Sequence, residues 1–193
     1  EYLWRIAFLN VKKDAFDNLP PLSKKEALEI LSRPTCKLQI SSDYYKAAFH
    51  LYKYPGLDTE EALLDLLDSS SDQHCIAIAK RKAIEVLARH GCNRAIPKIA
   101  NYLRSSDPYL VENAAWALKV LDCHDSDLIA LIINLLDDSK QNTRVLIQVL
   151  GEIGTSMALP RIKSFIDDTL TPPSIRGASI AAFKKLSGEH YQT

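Results

Sequence analysis

Glycine is scarce in this chain, at 6 of 193 residues, and methionine occurs once. So few turn formers beside 27 Leu and 20 Ala leave little room for the tight turns of an all-β fold, and the surplus of strong helix formers predicts an all-helical one. Excess charge of either sign is also missing. The 24 Lys and Arg balance 24 Asp and Glu, so no global field draws the molecule to nucleic acid or to an anionic membrane. The longest apolar stretches, such as Leu128 to Ile133, fall far short of the roughly 20 residues that a membrane span needs, which excludes membrane insertion by a helix. The four cysteines, Cys36, Cys75, Cys92 and Cys123, have no C-x-x-C spacing, and the expectation is reduced thiols in a cytoplasmic protein. No G-x-S-x-G, H-E-x-x-H or phosphate-cradling glycine loop occurs, so ordinary hydrolase chemistry has no foothold. The segment Tyr2 to Leu9 lacks the pattern of a signal peptide, and the start at Glu1 reads as a truncated N-terminus.

What is present is a repeat. Helix stops recur at Gly56, Gly91, Asp122, Gly154 and Gly188, separated by 35, 31, 32 and 34 residues, which is a solenoid period. Each follows an apolar helical stretch, and glycine or an Asx residue is what a left-handed C-cap accepts at low cost. Six residues on from four of these stops lie Ala62, Pro97, Leu128 and Pro160, each expected in the first turn of another helix, where proline is tolerated. The unit is therefore helix A, turn, helix B. Asp107-Pro108, Asp138-Ser139 and Thr171-Pro172-Pro173 mark the turn before helix B, and Ser23-Lys24-Lys25-Glu26 has the form of a capping box.

The expected organisation is a single domain, 1–193, of helix pairs near 22–56, 57–91, 92–122, 123–154 and 155–188, preceded by a helix near 2–17. One such pair cannot bury both its faces, so the pairs must stack on a continuous core. The predicted fold is a right-handed α-solenoid of HEAT-like pairs with helix B on the concave side, and the missing N-terminus would have held more repeats or a cap.

In Pro108 to Leu121 the core stripe is Leu110, Ala114, Ala117, Leu118 and Leu121. The opposite stripe, Tyr109, Glu112, Asn113 and Trp116, is the candidate ligand face, and the alternative is that Trp116 packs on a neighbouring repeat. Aligning Leu87, Leu118 and Leu150 puts Arg81, Glu112 and Arg144 in one row and Glu85, Trp116 and Gln148 in the next, with Arg176 and Tyr45 near the first row. Such a row suits an elongated ligand with carboxylates and N–H donors, or else forms an inter-repeat ion ladder. The catalytic candidate is Glu112; the ligand-binding candidates are Arg81, Tyr109, Asn113, Trp116, Arg144 and Gln148. No metal site is expected: His90, Cys92, Cys123 and His124 lack a ligand spacing. The clusters Tyr44-Tyr45 and Tyr52-Lys53-Tyr54-Pro55 read as packing at repeat ends or as stacking groups.

The segments Ser42 to Ala48, Arg94-Ala95-Ile96-Pro97 and above all Asp107 to Leu118 resemble the HEAT-like repeats of the E/F-type phycobilin:phycobiliprotein lyases of cyanobacteria and red algae, over about residues 22–188. The likeness is to members that serve phycoerythrin. It implies an enzyme that attaches an open-chain tetrapyrrole, phycoerythrobilin by this resemblance, as a thioether to a cysteine of an apo-phycobiliprotein subunit. It also implies no permanently bound cofactor, the bilin being a substrate, and a possible need for a second lyase subunit. Propionates would meet Arg81 and Arg144, pyrrole N–H groups would meet Glu112, and Tyr109 and Trp116 would stack. The alternative function is a non-catalytic HEAT adaptor or chaperone that grips another protein with the same surface.

Overall fold

A computed structural model describes residues 22–33, 43–70 and 74–188, and the segments expected to hold the helix near 2–17 and Cys36 lie outside them. The described residues form ten α-helices and no strand. These are α1 (Lys24–Ser32), α2 (Asp43–His50), α3 (Leu57–Asp68), α4 (His74–Arg89), α5 (Ile96–Asn101), α6 (Pro108–Val120), α7 (Ser126–Asn134), α8 (Thr143–Ile153), α9 (Leu159–Asp167) and α10 (Pro173–Ser187). Odd-numbered helices are the A helices and even-numbered ones the B helices, and within each pair the two pack on each other. The chain divides into two compact units, Glu1–His90 and Gly91–Thr193, at the boundary between the second and third pairs.

In the first unit α2 packs on α4 and α1 on α3; in the second, α6 packs on α8 and α8 on α10. B helices are therefore covered on several sides. In α4, Ala83, Ile84, Val86 and Leu87 are fully buried, whereas α9 buries Ile162 alone. The close approach of α8 to α10 depends on Gly151: a Cβ there would stand 2.8 Å from the Cβ of Ala182.

Local chemistry explains the boundaries. Gly91, Gly154 and Gly188 have φ of 69°, 80° and 68°, the left-handed stops that the sequence predicts, and Asp122 takes the same role at 53°. Pro97 and Pro160 sit in the first turns of α5 and α9. The Ser23 capping box is complete, with Oγ accepting from the Glu26 amide at 3.2 Å and the Ser23 amide donating to Glu26 Oε2 at 2.7 Å. Asp107 caps α6 by accepting from the Tyr109 amide at 2.9 Å.

Three local expectations are corrected. Gly56, at φ 155° and ψ 164°, is the N-cap of α3 rather than the stop of α2, because the turn Leu51–Lys53 and then Pro55 have already ended that helix. Ala62 lies in the second turn of α3, since that helix starts at Leu57. Asp138 does not cap helix B: its carboxylate accepts from the Lys140 amide and from Gln141 Nε2, which shapes the turn, and α8 begins only after Asn142. Of the tyrosine clusters, Tyr44 is buried and donates to the Arg33 carbonyl, and Tyr54 donates to the Leu22 carbonyl at 3.3 Å, so both fasten α1.

Candidate functional site

The strongest site residues of the sequence reading fall on α6 and α8, two B helices in contact within the second unit. Asp107 and Pro108 start α6, and the helix then runs through Leu110, Val111, Glu112, Asn113, Ala114 and Ala115, all of them buried. The stripe expected to face outward is therefore largely closed. Glu112 is 3 % exposed and Asn113 6 %, while Tyr109 and Trp116 are half-buried. The reason is tertiary. As a B helix, α6 is flanked by its partner α5, by the 3-10 turn Tyr102–Arg104 and by α8, which cover more of its circumference than one apolar stripe would need.

The Glu112 carboxylate accepts a hydrogen bond from Asn142 Nδ2 at 3.2 Å, a contact that ties α6 to the entry of α8. Arg144 and Gln148, one turn apart on α8, are exposed. An inter-repeat ion pair joins these helices between Lys119 and Glu152, at 2.6 Å. Arg81 lies in the other unit, on α4, and is half-buried. Arg176, near the same row, is half-buried on α10 and donates to the Asp168 carbonyl at 2.6 Å.

Chemically, the α6–α8 contact offers a buried carboxylate that accepts N–H bonds, two partly accessible aromatic faces on the same helix and an exposed guanidinium on the next. At 3 % exposed, Glu112 touches a ligand only once a covering side chain moves. Trp116, four residues along the same helix face, is half-buried.

Sequence reasoning missed a second charged cluster, in the first unit. Glu85 is fully buried on α4, 2.9 Å from Lys82 Nζ and 3.2 Å from an Arg89 nitrogen. Lys82 lies 4.9 Å from the centroid of the Phe49 ring, and Arg89 lies 5.7 Å from that of Tyr52, which stacks on His90. The spacing i, i+3, i+7 inside an apolar run was the available signal. Asn142 was missed because it looks like an ordinary residue ahead of a helix. Cys92 is buried and Cys123 half-buried, both as free thiols, and His124 pairs with Asp122 at 3.0 Å. Among the described residues no group of three or more His, Cys, Asp and Glu is placed to hold a metal ion, and no helix is long and apolar enough to cross a membrane.

No family model matches the chain. Similarity to individual proteins is clear. The bilin biosynthesis protein CpeY of Synechococcus sp. (strain WH8020) is 42% identical over 147 residues, which is 76% of this chain and 35% of that protein. An uncharacterized phycocyanin operon protein Y of Pseudanabaena tenuis (strain PCC 7409) is 32% identical over 171 residues, 89% of this chain and 40% of that protein. The chain thus spans between a third and two fifths of the length of these two relatives. The phycocyanobilin lyase subunit alpha of Nostoc sp. (strain PCC 7120 / SAG 25.82 / UTEX 2576) is 25% identical over 197 residues. Among solved structures, the complex of CpcE and CpcF of phycocyanin lyase from Nostoc sp. PCC7120 matches with a TM-score of 0.70 at 26% identity, over 89% of this chain and 68% of the matched one.

Proposed function

We propose that this chain, which belongs with the E/F-type phycobilin lyases in sequence and fold, binds an open-chain tetrapyrrole and presents it to a cysteine of an apo-phycobiliprotein subunit. The observation that carries this reading is the similarity to a bilin biosynthesis protein over three quarters of the chain, joined to the shared fold of a phycocyanin lyase. The bilin is phycoerythrobilin and the acceptor a phycoerythrin subunit, as the resemblance of the Pro108 to Leu118 helix implies. The bilin is a substrate, and no cofactor stays bound. By analogy with the two-subunit lyase complex, a second subunit completes the site, and the work is done in the cytoplasm.

The reaction adds an S–H across the ring A ethylidene of the bilin. The acceptor's thiolate forms the C–S bond, the ethylidene π pair moves into the conjugated system, and a proton there completes the addition with no leaving group and no oxidant. The nucleophile belongs to the acceptor, so this chain needs no cysteine of its own in the step. Its part is to hold the protonated, electrophilic form in place. Glu112 accepts pyrrole N–H bonds and balances the positive charge of the protonated tetrapyrrole. Arg144 binds a propionate, for which its guanidinium fork is matched. Tyr109 and Trp116 stack on the ring system, and Asn113 and Gln148 offer amides to its polar edge.

The test is coexpression with a bilin-producing pathway and an apo-phycobiliprotein subunit, followed by zinc-enhanced fluorescence of a denaturing gel. The expected result is a fluorescent acceptor band that depends on this chain, with product absorbance at the wavelength of unisomerised phycoerythrobilin. A stable complex with the acceptor and no gain in covalent bilin identifies an adaptor instead. Absence of the band with several acceptors and with a partner subunit supplied overturns the lyase reading.

A further inference from the structure

Between α7 and α8 the chain turns at Asp138, and local hydrogen bonds fix the turn. The Asp138 carboxylate accepts from the Lys140 amide at 2.9 Å and from Gln141 Nε2 at 3.1 Å, and its carbonyl accepts from the Gln141 amide at 3.0 Å. The Thr143 amide then donates to the Gln141 carbonyl at 3.1 Å and leads straight into α8. Two cations leave this short stretch for solvent, Lys140 at the turn and Arg144 in the first turn of the helix. Among the described residues neither side chain makes a hydrogen bond or a contact ion pair. Asp138 attracts the Lys140 ammonium, but its carboxylate is committed to the turn, and Asp137 is engaged by Arg161.

For the protein alone this placement is unfavourable. The N-terminus of a helix carries partial positive charge, which favours acids in its first turn. Glu26 stands there in α1, Asp58 and Glu60 in α3, and Asp127 in α7. The first turn of α8 has no acid and no side-chain cap, and a cation lies on either side of its start. That charge is left for an anion to balance. Four residues of chain span at most about 14 Å, and the turn brings Lys140 and Arg144 closer than that, so their side chains can grip two carboxylates of one molecule. The pair also has a fixed relation to the candidate carboxylate, because Asn142, between them in sequence, donates from Nδ2 to Glu112 Oε1 at 3.2 Å. We propose that Lys140 and Arg144 form a clamp for two carboxylates, with Lys140 taking the second propionate of the bilin whose first meets Arg144. The clamp rests on the bilin-binding reading and adds to it the residue for the second propionate. The guanidinium fork fixes one carboxylate bidentately, and the ammonium, a point charge on a flexible stem, follows the other. Both propionates are then held within the second unit, from one turn and the helix that it starts.

The test titrates the full chain, wild type and variants, with phycoerythrobilin carrying both propionates free and with its dimethyl ester, followed by fluorescence at one ionic strength. Lys140→Gln and Arg144→Gln keep the turn, since the bond from position 140 comes from the backbone. Each should lose about fivefold in affinity for the free acid and nothing for the ester. Lys184→Gln, which removes an exposed cation of α10, should bind both forms as wild type does. Without bilin, Lys140→Gln and Arg144→Gln should hold or raise the thermal midpoint, because they take like charge away from the start of α8. A fall of several degrees in both assigns the two cations to holding the turn and overturns the clamp. So does unchanged affinity of Lys140→Gln for the free acid, or an equal loss in Lys184→Gln, which is general attraction by surface charge. Wild-type protein that binds neither acid nor ester overturns the bilin-binding reading and the clamp with it, whereas tight binding with no effect at Lys140 overturns the clamp alone.

Discussion

Glu112 and Glu85 are both acidic residues buried on B helices, and their surroundings assign them different work. Glu85 has two cations of its own helix against it, Lys82 at 2.9 Å and Arg89 at 3.2 Å. Removing one member of such a group leaves buried charge without compensation. Glu85→Ala is expected to cost about 3 kcal/mol, seen as a lower urea midpoint at unchanged slope. Glu112 accepts from the Asn142 amide, and Glu112→Gln keeps the side chain's size and an accepting oxygen, so that variant should fold with little loss of stability. In bilin transfer the same variant should lose about tenfold or more in rate while binding survives, because a neutral amide accepts an N–H but does not balance a cation. Trp116→Ala supplies the complementary measurement. Loss of a stacking face should weaken bilin binding about tenfold, by fluorescence titration, with a shift of only a few degrees in thermal midpoint. A large fall in midpoint with unchanged affinity would assign the indole to packing.

At the scale of the helix, termini and close approaches carry the specificity. Hydrogen bonds from Ser23 hold the Glu26 carboxyl below its ordinary 4.5, and the Lys24 ammonium bonded to Asp58 holds that carboxyl below its ordinary 3.8. Both groups are lowered in the folded state, so the stability they contribute is present above these ordinary values and is lost as pH falls through the folded ones. Amides in the first turn of α1 should therefore lose protection against exchange, relative to their intrinsic rates, as pH falls through the acid range before the rest of the chain responds, and Ser23→Ala should show that loss at neutral pH. At the other end of the chain, Gly151 admits α10 at a distance where a Cβ would clash with Ala182. Gly151→Val is expected to destabilise by about 2 kcal/mol through forced separation of α8 and α10, read as a drop in thermal midpoint.

At the scale of the whole molecule, the second unit carries its own core, with Ile99, Leu103, Leu118, Ile132, Leu146 and Ile147 almost fully buried. Residues 91–193 expressed alone should give a helical circular dichroism spectrum and one cooperative thermal transition; a molten, non-cooperative trace would mean that this core depends on the preceding pairs. The all-α class, the pairing of helices and most of their limits follow from the sequence by itself, because a left-handed glycine or a first-turn proline acts through its own backbone and needs no distant partner. Gly91, Gly154 and Gly188 were legible for that reason, and so was the capping box at Ser23. Gly56 misled because its role as an N-cap was set by where the preceding turn had already ended. The pattern of α6 likewise identified Glu112, Asn113 and Trp116 as the unusual residues of an apolar helix. It could not say that Glu112 and Asn113 would be covered or that the amide of Asn142 would reach Glu112. Those outcomes depend on which elements surround a helix and at what approach, and stacking of one pair on the next is a contact between residues some thirty positions apart that periodicity along one helix does not encode.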